Sequence, residues 1–343
     1  MNFEQALAHF IPQIEAEMRR LMAPPAGDLN PFYGMMHYHL GWLDESFKPT
    51  QGTQGKLLRP IFTLLCCRAA GGQPEKALTA AAAVELIHNF SLVHDDIEDN
   101  SRTRRGRATV WAIWGEPQAI NAGDGLFVLA RHALLKLREQ NIALPTIFEA
   151  IDRLDQTCLA LCQGQYFDMS FEQTLQVDLA DYLKMIEGKT AALLACSGYL
   201  GGLIATGDRS QAELFWQLGR ALGLAFQIHD DLLGIWGQEV VTGKPAADDL
   251  RRRKKSLPVV FALQADQPQA ARFKEIYSAA SMSEDDVAEA VSLLEALGAK
   301  SYAEGQARAY VESAKSALQA IEAPPEQKLS LEQMAHFLIE RVH

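Results

Sequence analysis

The segment His94-Asp95-Asp96-Ile97-Glu98-Asp99 closes a long helix-forming stretch. Asp95 and Asp99 are four residues apart and so share one helix face. Carboxylates crowded in this way repel one another, and a divalent cation relieves the repulsion. Carboxylate oxygens that leave room for water and substrate phosphates suit Mg²⁺. The plainer reading is a solvated acidic helix end, but an acidic last turn opposes the helix dipole. The following residues weigh against it. Arg102, Arg104, Arg105 and Arg107 fall within six positions of a chain whose formal net charge is −11. Guanidinium groups hold phosphate oxygens in bidentate pairs. Carboxylates for a metal followed by arginines for a phosphate are what a metal–diphosphate site needs; the plainer alternative is an internal salt-bridge patch.

A second segment repeats this logic. Asp230 and Asp231 lie near the end of another helical stretch, with Gln227 one turn earlier on the same stripe. Lys244 follows in a Gly-Lys-Pro turn, and then comes Arg251-Arg252-Arg253-Lys254-Lys255. A basic run is usually a solvated face or a nucleic-acid patch. Here it again follows paired aspartates, and two such modules suggest two walls of one cavity. Gly55-Lys56-Leu57-Leu58-Arg59-Pro60 places Lys56 and Arg59 three apart on one helical face, suited to a second phosphate group. His88 lies seven residues before Asp95 and eleven before Asp99, within about 20° of their face. A lone helical histidine is more often a satisfied core residue, but this alignment admits a ligand role.

The elements that must position these residues read as helices. Apolar periodicity predicts helices over Phe3–Met22, Lys56–Ala70 and Pro74–Asp99, and over 117–137, 145–170, 179–206, 209–235, 256–265, 284–297, 301–321 and 329–341. Between Pro24-Pro25 and Lys56, the stretch containing Gly27, Asp28, Pro31 and Gly34 reads as a loop. No linker or solenoid repeat divides the chain, so residues 1–343 are expected to form a single all-α domain, a large helical bundle around a central cavity. The five cysteines form no CxxC pair and suit a reduced, cytoplasmic protein; Cys158 and Cys162, one turn apart, lack further metal ligands nearby. The uncharged run Thr190–Gly207 is long enough to raise a membrane span, but its Gly198, Gly201 and Gly202 fit a buried helix better. With an N-terminus that does not read as a signal peptide, neither an integral membrane protein nor a nucleic-acid partner is expected.

Taken together, these residues resemble the trans-isoprenyl diphosphate synthase (polyprenyl synthetase) family. The motifs appear in the family's order: Gly55-Lys56 with Arg59-Pro60; Asp95-Asp96 with Asp99; Arg104-Arg105-Gly106; Gln165 with Asp168; Lys189-Thr190; and Phe226-Gln227 with Asp230-Asp231. The resemblance implies the type I isoprenoid synthase fold and head-to-tail condensation of isopentenyl diphosphate with a C5–C15 allylic diphosphate. It implies two or three Mg²⁺ ions held by Asp95, Asp96, Asp99, Asp230 and Asp231. Arg104, Lys189 and Lys244 would contact the allylic diphosphate. Lys56, Arg59, His88 and Arg105 would bind the diphosphate of isopentenyl diphosphate, and Lys254 matches a later substrate-binding lysine. Thr190 and Gln227 would sit beside the developing allylic cation, with Gln165 and Asp168 lining the metal cavity. A homodimer is expected by the same resemblance.

One departure stands out. The family's second motif commonly ends in a third aspartate, where this chain has Gly234. Product length turns on Phe90, five residues before Asp95 and bulky, with the small Ser91 beside it. An aromatic there goes with short products in the family, C20 or C15. Two rivals remain. A class I terpene cyclase on the same fold would not need the second diphosphate site. A catalytically silent partner subunit would not need the aspartates.

Overall fold

The computed structural model describes residues 1–24, 30–50, 55–237, 245–279 and 281–340. In chain order its first helices are α1 (Phe3–Leu21), α2 (Asn30–His39), α3 (Leu58–Ala69) and α4 (Pro74–Glu98). A two-residue hairpin, β1 (Thr103–Arg104) and β2 (Arg107–Ala108), precedes α5 (Val110–Trp114), α6 (Glu116–Leu135) and α7 (Leu144–Glu172). Next come α8 (Leu179–Ile186), a π-helical turn at Glu187–Ala191, α9 (Ala192–Thr206) and α10 (Arg209–Trp236). The remaining helices are Asp248–Arg251, Leu257–Gln264, Pro268–Ser278, Glu284–Ala296, Ala299–Ala320 and Pro325–Glu340. The protein is thus all-α, as expected.

The chain divides into two compact units. The first comprises Met1–Cys158, Cys196–Trp216 and Ile321–Met334. Its α1 is started by a capping box: the Asn2 side chain accepts from the Gln5 amide at 2.8 Å, and Gln5 Oε1 accepts from the Asn2 amide at 3.0 Å. The buried stripe of α1 is Phe3, Ala6, Phe10, Ile14, Met18 and Leu21, the spacing of one helical face. This unit is centred on α4, which packs against α1, α3 and α6. Ala77 and Ala80–Ala83 of α4 are fully buried, so neighbouring backbones can come close. At Gly123 of α6 a Cβ would stand 2.2 Å from His94 Nε2. Only glycine lets α6 lie that near the acidic end of α4.

The second unit comprises Leu159–Ala195, Gln217–Ala320 and Ala335–His343. Leu250, Val259, Phe273, Tyr277 and Leu294 form one buried cluster. Tyr182, Ile186, Leu224, Ile228, Val260 and Ala303 form another. Among the described residues no helix is long and apolar enough to cross a membrane. The stretch of the questioned run that belongs to α9 is buried in protein as far as Ile204.

Three sequence expectations need correction. The loop expected around Pro31 and Gly34 contains α2: Pro31 sits in the first turn, where its missing amide breaks no hydrogen bond. Gly34 lies under the Phe47 ring, 2.6 Å from where a Cβ would be, so it serves packing and not chain reversal. The helix expected from Lys56 starts at Leu58, after Leu57 in a left-handed conformation (φ 50°). The helix expected over 179–206 is interrupted by the π turn.

Candidate active site

In the first unit, Asp95 and Asp99 lie at the end of α4, half-buried and exposed respectively. Asp96 turns the other way. It is 1% exposed, and its Oδ1 accepts from Arg104 Nε at 2.8 Å. Burial pushes its carboxyl up from the usual range, against the pull of Arg104. The second oxygen of Asp96 has no hydrogen-bond partner among the described residues.

Arg104 is placed by the hairpin. Its Cα pairs with that of Arg107, leaving Arg105 (φ 53°) and Gly106 (φ 74°) as a two-residue loop. Both positive φ values fit a type I′ turn, which matches the twist of the strands. Arg107 anchors the hairpin, donating to the carbonyls of Tyr38 (3.0 Å) and Leu43 (2.7 Å). Arg104 ends the first strand, whereas Arg105 already lies in the turn, so the two side chains leave in different directions. Arg104 therefore meets Asp96, while Arg105 passes Gly55, where its Nη2 is 2.9 Å from the place of a Cβ. Glycine at 55 leaves the guanidinium its space.

Arg105 reaches a cavity of about 380 Å³ lined by Gly55, Lys56, Leu57, Leu58, Arg59, Glu85, His88 and Arg105. All four residues expected at a second diphosphate site line this one cavity. Arg59 Nη1 is 3.5 Å from His88 Nε2, and Arg59 Nε is buried without a hydrogen-bond partner among the described residues. Burial, with Arg59 and Arg105 beside it, holds His88 well below its ordinary pKa, so the ring is neutral. Sequence reasoning missed Glu85. It is 3% exposed, accepts from Asn89 Nδ2 at 2.9 Å, and burial pushes it up to about 6. Its place one turn before His88 was the available signal.

Phe90 packs edge-on against His94 (4.9 Å between ring centroids) and tilted against Phe127 (5.4 Å). Phe127 was not anticipated. Ser91 donates back to the His88 carbonyl at 2.9 Å.

In the second unit, the π turn carries Lys189 and Thr190. Such turns inside α-helices frequently mark functional positions, because the extra residue re-aims side chains. At Gly164 a Cβ would lie 2.2 Å from the Lys189 backbone nitrogen, so α7 presses directly on the turn. Lys189 Nζ is 2.5 Å from Asp168 Oδ2 on α7, four residues beyond Gly164. Thr190 Oγ1 donates to Gln227 Oε1 at 2.8 Å, and Gln227 Nε2 donates to Asp231 Oδ1 at 3.2 Å. Gln165 is half-buried on α7.

The two aspartates of the second cluster have different surroundings. Asp230 is exposed. Asp231 is fully buried and accepts from Tyr182 Oη and from the Leu257 amide (2.9 Å). Burial pushes Asp231 up to about 6, and Lys254 works against that rise. Lys254 Nζ lies 3.7 Å from Asp231 and 3.6 Å from Asp249. Burial disfavours the ammonium, but Asp231, Asp249, Asp230 and Asp168 outweigh it and raise its pKa. Lys244 lies outside the described residues.

Among the described residues no three acidic, histidine or cysteine side chains form a ready metal cage. Mg²⁺ does not require one: it is bound through one or two carboxylates, waters and substrate phosphates. Asp95 with Asp99 in the first unit, and Asp230 beside a lysine drawn in by carboxylates in the second, fit that mode.

Comparison with known proteins agrees. The family model described as polyprenyl synthetase matches residues 41–294. A (2E,6E)-farnesyl diphosphate synthase of Mycobacterium bovis is 40% identical over 90% of this chain and 85% of its own length. A geranylgeranyl diphosphate synthase of Mycobacterium tuberculosis is 42% identical over 84% of this chain and 81% of its own. The crystal structure of a polyprenyl synthetase from Streptomyces coelicolor A3(2) superposes with a TM-score of 0.87 at 38% identity, covering 98% of both chains. That of a geranylgeranyl pyrophosphate synthetase from Pyrococcus horikoshii gives 0.86 at 34% identity, covering 98% of this chain and 99% of the other. The chain belongs to the polyprenyl synthetase family and has its all-α isoprenoid synthase fold, as a short-chain trans-prenyltransferase.

Proposed function

We propose that the protein joins isopentenyl diphosphate to an allylic diphosphate head-to-tail in a Mg²⁺-dependent reaction, giving C15 or C20 all-trans prenyl diphosphate. The observation that carries this reading is the cavity shared by Lys56, Arg59, His88 and Arg105. It is a second diphosphate site, which condensation requires and cyclisation does not. The aspartates that a silent subunit would dispense with are all present.

When bound, Mg²⁺ neutralises the diphosphate as its bond to the allylic carbon breaks. Asp95 and Asp99 in the first unit would hold Mg²⁺ through their carboxylates, and Asp230 in the second unit would do so through its own. Asp96 holds Arg104 for diphosphate binding, and Asp168 does the same for Lys189. Asp231 has a positioning role, fixing Gln227 and Lys254. Thr190 directs its proton to Gln227, so its oxygen lone pairs remain available to the developing carbocation. The cavity cations hold isopentenyl diphosphate while its double bond attacks that carbon. The proton lost from the adduct leaves with the departing diphosphate. The neutral His88 contributes a hydrogen bond without adding charge.

We also propose a cytoplasmic homodimer, with residues 1–343 as a single polyprenyl synthetase domain. None of the five cysteines is in a disulfide, and a reducing compartment suits that. Within the first unit, Ile120, Val128, Leu135, Leu144 and Phe148 (68% exposed) give α6 and α7 apolar surface for a second copy. The test is an assay with isopentenyl diphosphate and each of the C5, C10 and C15 allylic diphosphates, with products dephosphorylated and sized by mass spectrometry. A linear C15 or C20 alcohol, absent with EDTA and in Asp95→Ala, supports the reading. A cyclic hydrocarbon formed without isopentenyl diphosphate, or no turnover at all, overturns it.

A further inference from the structure

We infer that Glu187 and Arg220 act as a positioning pair for the reaction, tethering the π turn that aims Lys189 and Thr190. A π turn is a rare departure inside an α-helix and persists where its surroundings hold it. Its wide hydrogen bond runs here from the Ala192 amide to the Glu187 carbonyl, five residues back. The side chain of the same residue is fixed from α10. Arg220 Nε and Nη2 donate to the two carboxylate oxygens of Glu187 at 2.6 and 2.7 Å. A bidentate fork sets direction as well as distance. Glu187 is thus held by its main chain and by its side chain at once.

The contacts around the pair show what it serves. Gly223, three residues after Arg220, lets α10 come close: a Cβ there would stand 2.6 Å from Cα of Ala191, the last residue of the turn. Gln227, seven residues after Arg220 and so on the same helix face, accepts from Thr190 at 2.8 Å. Helix α10 therefore grips the turn at its first residue by charge, at its fourth by a hydrogen bond and at its last by contact. Regular i→i−4 bonding through these residues would rotate the side chains beyond by one residue's step, about 100°. That would take Thr190 off Gln227. The two side chains of the pair are each 41% exposed, and ion pairs so open to water contribute little to stability. The effect of the pair is therefore expected in turnover and not in melting.

This inference rests on the prenyl-transfer reading above. The test uses the full-length protein and the variants Glu187→Gln, Arg220→Gln, Glu187→Arg, Arg220→Glu and the exchange Glu187→Arg/Arg220→Glu. Steady-state kinetics, thermal melts and amide hydrogen exchange over residues 187–195 are measured for each. Glu187→Gln and Arg220→Gln are expected to lower kcat by about tenfold to a hundredfold. They should speed exchange in the turn, leave the KM for isopentenyl diphosphate unchanged and melt close to wild type. Each single charge reversal should be worse, and the exchange should recover much of the loss by restoring the attraction with its partners reversed. Wild-type kcat and exchange rates in both neutral variants overturn the inference. So does an exchange variant no better than the single reversals. A kcat that falls only with the melting temperature, while the KM for isopentenyl diphosphate rises, makes the pair a general brace and also overturns it. A wild type with no turnover removes the underlying reading, and faster exchange in the two neutral variants would still support the tether, which separates the two failures.

Discussion

Asp96 and Arg104 form a buried ion pair, Oδ1 to Nε 2.8 Å, between the last turn of α4 and the first strand of the hairpin. One aspartate of the first motif is therefore occupied in holding an arginine, while its neighbours Asp95 and Asp99 face outward. Removing one partner of a buried pair leaves an uncompensated charge. Asp96→Ala is expected to cost on the order of 2 kcal/mol of stability, below the fully buried case because Arg104 keeps some solvent contact. Asp95→Ala and Asp99→Ala should melt close to wild type and lose activity. Denaturant melts of the three variants check this; equal stability losses would remove the distinction.

Glu85 gives a pH dependence with a definite sign. Burial pushes its carboxyl up to about 6. A raised carboxyl contributes stability that is fully present below its unfolded value and is lost as pH rises through about 6. Glu85→Gln, which cannot ionise, should therefore gain on wild type by roughly 2 kcal/mol between pH 4 and pH 8. Ionised Glu85 also cancels cationic charge in the cavity. The KM for isopentenyl diphosphate should rise more steeply above pH 6 in wild type than in Glu85→Gln. Parallel pH profiles for both proteins would contradict the assignment.

Gly164→Ala tests how the π turn is set. Its Cβ would arrive 2.2 Å from the Lys189 backbone nitrogen, so the turn must shift and carry Lys189 and Thr190 with it. A displacement of about 1 Å at reacting groups can cost on the order of a hundredfold in rate. The expected result is a kcat lowered by that order with the KM for isopentenyl diphosphate little changed, since that cavity belongs to the other unit. A wild-type kcat would show that the turn tolerates the push.

Phe90 is expected to limit product length. Replacing it with alanine removes the ring that packs on Phe127 and His94. Phe90→Ala should shift the main product by at least one C5 unit, and Phe127→Ala should shift it in the same direction through loss of the ring's support. Mass spectrometry of dephosphorylated products decides it; unchanged length in Phe90→Ala would place the limit elsewhere.

Much of the fold was legible because most helices are long and strongly periodic, and their starts carry polar caps or prolines, as at Asn2 and Pro74. The helix at Asn30–His39 was not, because Pro31 and Gly34 look alike in a loop and in a first helical turn packed under an aromatic ring. The cavity cations were legible from residue type, since phosphate demands Lys and Arg wherever the chain brings them together. Glu85 was hidden because its one signal, its place a turn before His88, gains meaning only once His88 is seen to line the cavity. Asp96 and Asp231 were indistinguishable from their exposed neighbours by type; only burial separates Asp96 from Asp95 and Asp231 from Asp230. Gly234 reads as a deletion in the sequence, because the Asp249 carboxylate that fills its space arrives from fifteen residues further on.

The type I′ hairpin has one more consequence. Arg104 and Arg105 are adjacent in the chain, yet one belongs with the aspartates of α4 and the other with the Lys56–Arg59 cavity. Consecutive Cα atoms are a fixed 3.8 Å apart. The two guanidinium groups therefore leave the backbone at neighbouring points and diverge to two different sets of partners. A shift of the hairpin would move both guanidinium groups together, whereas Phe90 and Phe127 can each be replaced singly.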